Sequence, residues 1–357
     1  MKSRKILYLF LLFICSTMLL ACNGNNGTEG LKYLPLNDKE CAVSVGDAKT
    51  LTEIVIPSKY KQYTVTTIYG GKPFGDEDDE TKGFARCRNL EKITLPDTIT
   101  TIYEFAFYYC DKLREINLED GITSIGSAAF DSCKSLESVT LPSKITTIED
   151  RTFRECVSLT EINFPSNLKS IGENAFYGCT SLKKAIVPET VTEMGAKLFD
   201  ECTSLESLVI PYVDETLYFT KCKNLKDVVV LGGTSISDFC FYNLEKLESV
   251  VLADSITTIG NSSFKNCTSL TKIKLPKQLT TIEMNAFANC QNLVYIVIPE
   301  SVSSIKSYAF SDCDNIKIYL ELISEQVGFE YLWKENSAPA YWAGQWEYDS
   351  EGNPRPL

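Results

Sequence analysis

The chain of 357 residues contains no histidine. That absence removes the Cys–His and Ser–His nucleophilic pairs together with the commonest metal ligand. No C-x-x-C pair, phosphate-binding P-loop or glycine-rich dinucleotide turn occurs, so no cofactor is expected. Basic clusters interleaved with aromatics are also missing, and the formal net charge is −12, which argues against nucleic acid as a partner. Paired carboxylates carry little information when 47 acids are available to form them. One acidic run, Asp76-Glu77-Asp78-Asp79-Glu80, has the charge to hold calcium but lacks the ligand alternation of an EF-hand loop. It reads as a solvated loop. With catalytic patterns this sparse, the expectation is a non-catalytic protein.

The first residues have a basic tip (Lys2, Arg4, Lys5), an apolar run from Ile6, and the small residue Ala21 before a cysteine. The run is short and no stop-transfer pattern follows, so residues 1–21 read as a secretory signal rather than a membrane anchor. Leu19-Leu20-Ala21-Cys22 resembles the lipobox of bacterial lipoproteins. That resemblance implies acylation of the Cys22 thiol, cleavage before it, and residues 22–30 as a flexible tether. The alternative is an ordinary signal peptide with a chance cysteine. Losing residues 1–21 removes three positive charges and no acid, so contact with the membrane would run through the lipid alone.

What the chain has in excess is periodicity. Cys87, Cys110, Cys133, Cys156, Cys179 and Cys202 are spaced by 23, a shortened interval reaches Cys222, and Leu244, Cys267, Cys290 and Cys313 continue the rhythm. Three residues before each of these eleven slots stands a phenylalanine, from Phe84 and Phe107 to Phe310. Leu or Ile follows at slot plus three, then apolar residues at plus six and plus eight, as in Leu136, Val139 and Leu141. The last two have strand period and β-branched content. A second apolar pair, such as Ile145 and Ile148, has helix- or turn-like spacing and leads into the next phenylalanine. One unit of 23 residues cannot bury these side chains alone; stacked units bury them against each other, which is the physics of a solenoid.

The pattern F-x-x-C-x-x-L-x-x-I-x-L-P, seen at Phe153 to Pro165, resembles the BspA-like leucine-rich repeats of bacterial surface proteins. The implied fold is an α/β repeat solenoid with one short parallel strand per coil of about 23 residues. On this reading residues 31–47 form an N-terminal hairpin cap, 48–320 the solenoid with an insert at about 70–83, and 321–357 an aromatic C-terminal cap. The resemblance further implies a lipid-anchored protein at the bacterial surface whose work is recognition or adhesion.

Comparing slots internally settles what the cysteines are for. Leu244 fills one slot, so the position requires modest apolar volume, not a ligand or nucleophile. Stacked coils hold parallel Cβ vectors about 4.8 Å apart, whereas a disulfide prefers about 3.8 Å. The ladder is therefore expected to hold reduced thiols, acting as small hydrophobes with a weak donor. Cys41 and Cys240 lie outside the scheme and are not paired with each other.

Two surfaces are candidates for ligand contact. At slot plus seven the outward residues run Thr94, Asn117, Thr140, Asn163, then Ile186, Val209, Val229 and Val251, then Lys274 and Val297. The apolar four would make a binding stripe on a concave sheet, with Tyr212, Tyr218 and Tyr295 as rigid anchors nearby. The bland reading is that β-branched residues are simply good strand formers. The second surface is the C-terminal aromatic group, in which Trp333, Trp342 and Trp346 would stack on sugar rings or merely close the last coil. The expected partner is accordingly a protein or a glycan at the cell surface. A purely structural envelope protein is the remaining alternative.

Overall fold

The structure is a computed structural model and describes residues 27–71, 83–334 and 338–357. The signal segment, Cys22 and the acidic run at 76–80 lie outside the described residues. Each regular coil contributes two short strands, and like strands stack in parallel to give two ladders. In the first ladder Ser138–Thr140, Glu161–Asn163, Lys184–Ile186, Ser207–Ile210, Asp227–Val230 and Ser249–Leu252 pair in sequence order. Register is kept from coil to coil, with Val139 opposite Ile162 and Leu208 opposite Val228. The plus-six residue points inward and is buried, while plus five and plus seven point out, as strand pleating requires.

The second ladder corrects the α/β expectation: the coil returns through strand, not helix. Thr101–Ile102, Ser124–Ile125, Thr147–Ile148 and Ser170–Ile171 are two-residue strands whose isoleucines are buried. Among the described residues the sole helical segment is the 3-10 turn Gly46–Thr50. The helix-like spacing of Ile145 and Ile148 has a different origin. The Ile145 N–H closes a turn onto the Pro142 carbonyl at 3.1 Å, and Ile148 belongs to a strand too short to display a period of two.

The corner containing the phenylalanine and the cysteine is a series of tight turns. The Cys110 N–H donates to the Phe107 carbonyl at 3.1 Å and the Leu113 N–H to the Cys110 carbonyl at 3.0 Å, and the pattern recurs along the chain. Residues at slot minus five and slot minus one take left-handed backbone, for example Ala128 (φ 53) and Ser132 (φ 62). The Phe rings lie one above another with centroids 5.2 to 5.6 Å apart, from Phe84 to Phe199 and again from Phe219 to Phe310. All are fully buried, and each removes apolar surface worth about 2–3 kcal/mol from water.

The ladders are not continuous. The first is cut between Glu115–Ile116 and Ser138–Thr140, and again between Ser249–Leu252 and Tyr295–Ile298. The second is cut after Ser124–Ile125 and across the shortened coil, between Glu193–Met194 and Ser235–Ile236.

At the N-terminal end, Lys32–Pro35 and Glu40–Ser44 form an antiparallel hairpin that pairs with Tyr63–Ile68, a strand of the second ladder. At the other end parallel pairing runs past residue 320: Gly328–Phe329 joins the second ladder and Ala340–Tyr341 the first. An antiparallel hairpin, Trp346–Tyr348 with Pro354–Pro356, follows.

Candidate functional site

Outward residues of the first ladder make the candidate surface, because parallel register places like positions side by side. Ile186 pairs with Val209, Val209 with Val229 and Val229 with Val251. Strands about 4.8 Å apart turn these four into an apolar row roughly 14 Å long. Ile186 is 49% exposed and Val251 55%, while Val209 and Val229 between them are partly shielded by their neighbours. Thr140 and Asn163 continue the row as exposed polar positions, and Thr94 is exposed at the same offset beyond the cut in the ladder. Asn117 is spent locally: its side-chain amide accepts from the Leu95 N–H at 2.8 Å and donates to the Leu95 carbonyl at 2.9 Å.

Of the three tyrosines, the fold brings only Tyr295 to this face, at plus five beside Val297. Tyr212 lies on the arc of the shortened coil, where its hydroxyl donates to the Thr192 carbonyl at 3.1 Å. Tyr218 is exposed on the turn before Phe219. Nearness in sequence placed them with the valines; a coil separates strand, arc and turn onto different sides.

The tryptophans are largely structural in their placement. Trp333 is 4% exposed, meets the last ring of the stack, Phe310, edge-on at 6.2 Å, and donates its indole N–H to Glu325 at 2.8 Å. Trp346 donates its indole N–H to the Leu320 carbonyl at 3.0 Å and packs 5.4 Å from Tyr319. Trp342 is half-buried against the core.

Burial, the largest cause for each ladder thiol from Cys87 to Cys290, pushes them up, with Cys87, Cys222 and Cys267 at about 12. Every described cysteine is free and buried, Cys41 and Cys240 included. Cys240 sits four residues before its slot, a position that other coils fill with Ala106, Ala129 or Ala286. The thiols are thus protonated apolar fillers, poor as nucleophiles. Among the described residues no group of three or more His, Cys, Asp or Glu side chains is placed to hold a metal ion, and no helix is long and apolar enough to cross a membrane.

One feature escaped the sequence reading. Where the first ladder opens beside Ser249–Leu252, a hollow of about 520 Å³ lies on its outer face, lined by Val251, Lys272, Lys274, Tyr295, Tyr348 and Pro354 among others. Among the described residues, the backbone from Lys272 to Leu275 makes no hydrogen bond to either neighbouring strand. The C-terminal hairpin supplies the far wall. Partial burial, then the charge of Glu321 and then Tyr295, push the Tyr348 phenol above its ordinary range, which places those groups close together. Lys274 between Val251 and Val297 was a visible interruption of the row; the return of residues 346–356 onto the sheet had no signal in the repeat.

The chain is similar to a leucine-rich repeat protein of Bacteroides ovatus at 26% identity, with 88% of this chain and 98% of that one covered and a TM-score of 0.52. A leucine rich cell surface protein of Faecalibacterium prausnitzii is 24% identical, with coverage of 86% and 96% and a TM-score of 0.45. No curated protein matches. The model of the BspA type leucine rich repeat region, in six copies, matches residues 80–206 and 215–317. Matched over more than half its length, and built on the same repeat of phenylalanine, cysteine and leucine, the chain belongs to the BspA-type leucine-rich-repeat family.

Proposed function

We propose that this protein is a non-catalytic recognition protein of the bacterial surface, exported and held to the membrane by lipid on Cys22, that binds a protein ligand on the outer face of its first ladder. The observation that carries the reading is the apolar row from Ile186 to Val251, in register and open to solvent at both ends. A regular sheet can fill outward positions with polar residues, as the coils bearing Thr140 and Asn163 do, so four consecutive β-branched positions are a local departure. Capture of a glycan by the terminal aromatics has less support, because Trp333 is buried and the indole N–H groups of Trp333 and Trp346 are engaged within the protein.

The test is binding of the chain from Asn23 onward, which keeps every described residue, to an array of matrix proteins and glycans beside a Val209→Lys, Val229→Lys variant. Loss of a protein hit in the variant, with its melting temperature kept, supports the sheet. A glycan hit that survives in the variant sinks this reading. Metabolic labelling with a fatty acid, lost in Cys22→Ala, checks the anchor.

A further inference from the structure

We infer that the hollow over the opened first ladder receives an extended acidic peptide segment of a protein partner. The inference rests on the recognition reading above and names a different part of the surface and a chemistry for the ligand. Three observations converge on it.

The first is charge. Lys272, Lys274 and Lys277 line the hollow, and among the described residues none forms an ion pair. Some lysines elsewhere are matched across coils, Lys92 with Glu115, Lys226 with Glu206 and Lys306 with Glu330. Three lysines on one hollow concentrate positive charge locally in a chain whose net charge is −12. Glu248 and Glu321 line the same hollow, so its net charge is only weakly positive and a ligand must place its carboxylates on the lysines.

The second is spacing. Lys272 and Lys274 are exposed on either side of buried Ile273, the alternation of extended backbone, whose repeat sets like-facing side chains about 6.6 Å apart. Alternate side chains of an extended peptide have the same repeat, so two carboxylates meet two ammonium groups without bending either backbone. The third is the company the lysines keep. Val251 on one side and Tyr295, Val297, Tyr348 and Pro354 on the other give apolar and aromatic walls of the kind that anchor peptide side chains beside charged pairs. A free inorganic anion would use the lysines and leave those walls unfilled.

The probe is a fluorescein-labelled dodecapeptide with Glu at alternate positions and Val or Tyr between, read by fluorescence anisotropy against the chain from Asn23 onward. Its counterpart with Lys for Glu and a polygalacturonate chain serve as controls. The acidic peptide is expected to bind, the Lys peptide not to bind, and affinity to fall at least about tenfold in Lys272→Glu, Lys274→Glu. It should also weaken as salt rises from about 0.05 M to about 0.5 M. Tyr348→Ala, a variant at an exposed position, should weaken the acidic peptide without restoring the Lys peptide. Equal binding by wild type and the charge-reversed variant overturns the proposal. So does absence of binding, or preferential binding of polygalacturonate that the same variant abolishes. If the array hit depends on Val209 and Val229 while the acidic peptide fails, the recognition reading stands and this inference alone falls.

Discussion

The thiol of Cys133 donates a hydrogen bond to the carbonyl oxygen of Phe107 in the preceding coil, at 3.2 Å. The same carbonyl accepts the Cys110 N–H at 3.1 Å, so one oxygen closes a turn within its coil and ties it to the next. The bond recurs from Cys110 on Phe84 to Cys313 on Phe287, at 3.1 to 3.4 Å. Leu244 interrupts it, and there the slot works by volume alone.

Every thiol in this arrangement is reduced and shielded. Native protein from Asn23 onward should therefore resist iodoacetamide near pH 8, and the same sample denatured without reductant should titrate twelve thiols, the number of free cysteines described. A value near zero in the denatured sample would show bridges and overturn the ladder.

Stability should fall in alkali. Unfolded thiols ionise near pH 8.5, whereas burial holds Cys87, Cys222 and Cys267 protonated to about 12. Above the unfolded value the unfolded chain has lost protons that the folded chain keeps, so unfolding is favoured as pH rises. The stabilisation from protonated thiols is complete below about pH 8 and declines through the window from about 8.5 toward 12. Each such thiol contributes a slope of about 1.4 kcal/mol per pH unit inside that window. Urea midpoints that stay level from pH 8 to pH 10.5 would contradict this.

Left-handed positions offer a gain. Lys197 is exposed, has φ 56, and its side chain forms no hydrogen bond or ion pair among the described residues. Lys197→Gly removes the Cβ that opposes this conformation and should raise stability by about 0.5–1 kcal/mol, read as a shift in the urea midpoint. A loss would mean that the lysine stem packs on the turn more than its exposure indicates.

Ser263 is fully buried and its hydroxyl has no partner among the described residues. It occupies the position held by Ala286 in the next coil and Ala129 earlier in the chain. Ser263→Ala should stabilise by about 1 kcal/mol, because an unsatisfied buried hydroxyl costs more than the small void its removal leaves. Destabilisation by this change would indicate a buried water bridging the hydroxyl.

How much of this was legible in sequence depended on whether a feature repeats. Phe153, Cys156, Leu159 and Ile162 recur at fixed offsets, so the core and the first ladder are legible from spacing. The second ladder was misread because two residues, as in Thr147–Ile148, cannot establish a period and the turn at Ile145 mimicked a helical interval. Tyr212 is close to the valines along the chain but lies on the arc, because a coil of this length turns within a few residues. The hollow at Lys272 was invisible, since it depends on lost pairing between two coils and on a hairpin from the last twelve residues, neither of which the repeat encodes.

The coil shortened between Cys202 and Cys222 interrupts the second ladder, and among the described residues no ring contact joins Phe199 to Phe219. On the first ladder the same coil stays joined, four residues from Ser207–Ile210 in register with four from Asp227–Val230. The solenoid is thus bound there like a book at its spine, with the gap on the fore-edge. Bending at that coil would open the side that carries no candidate surface and leave Val209 and Val229, which sit on the spine itself, at constant separation.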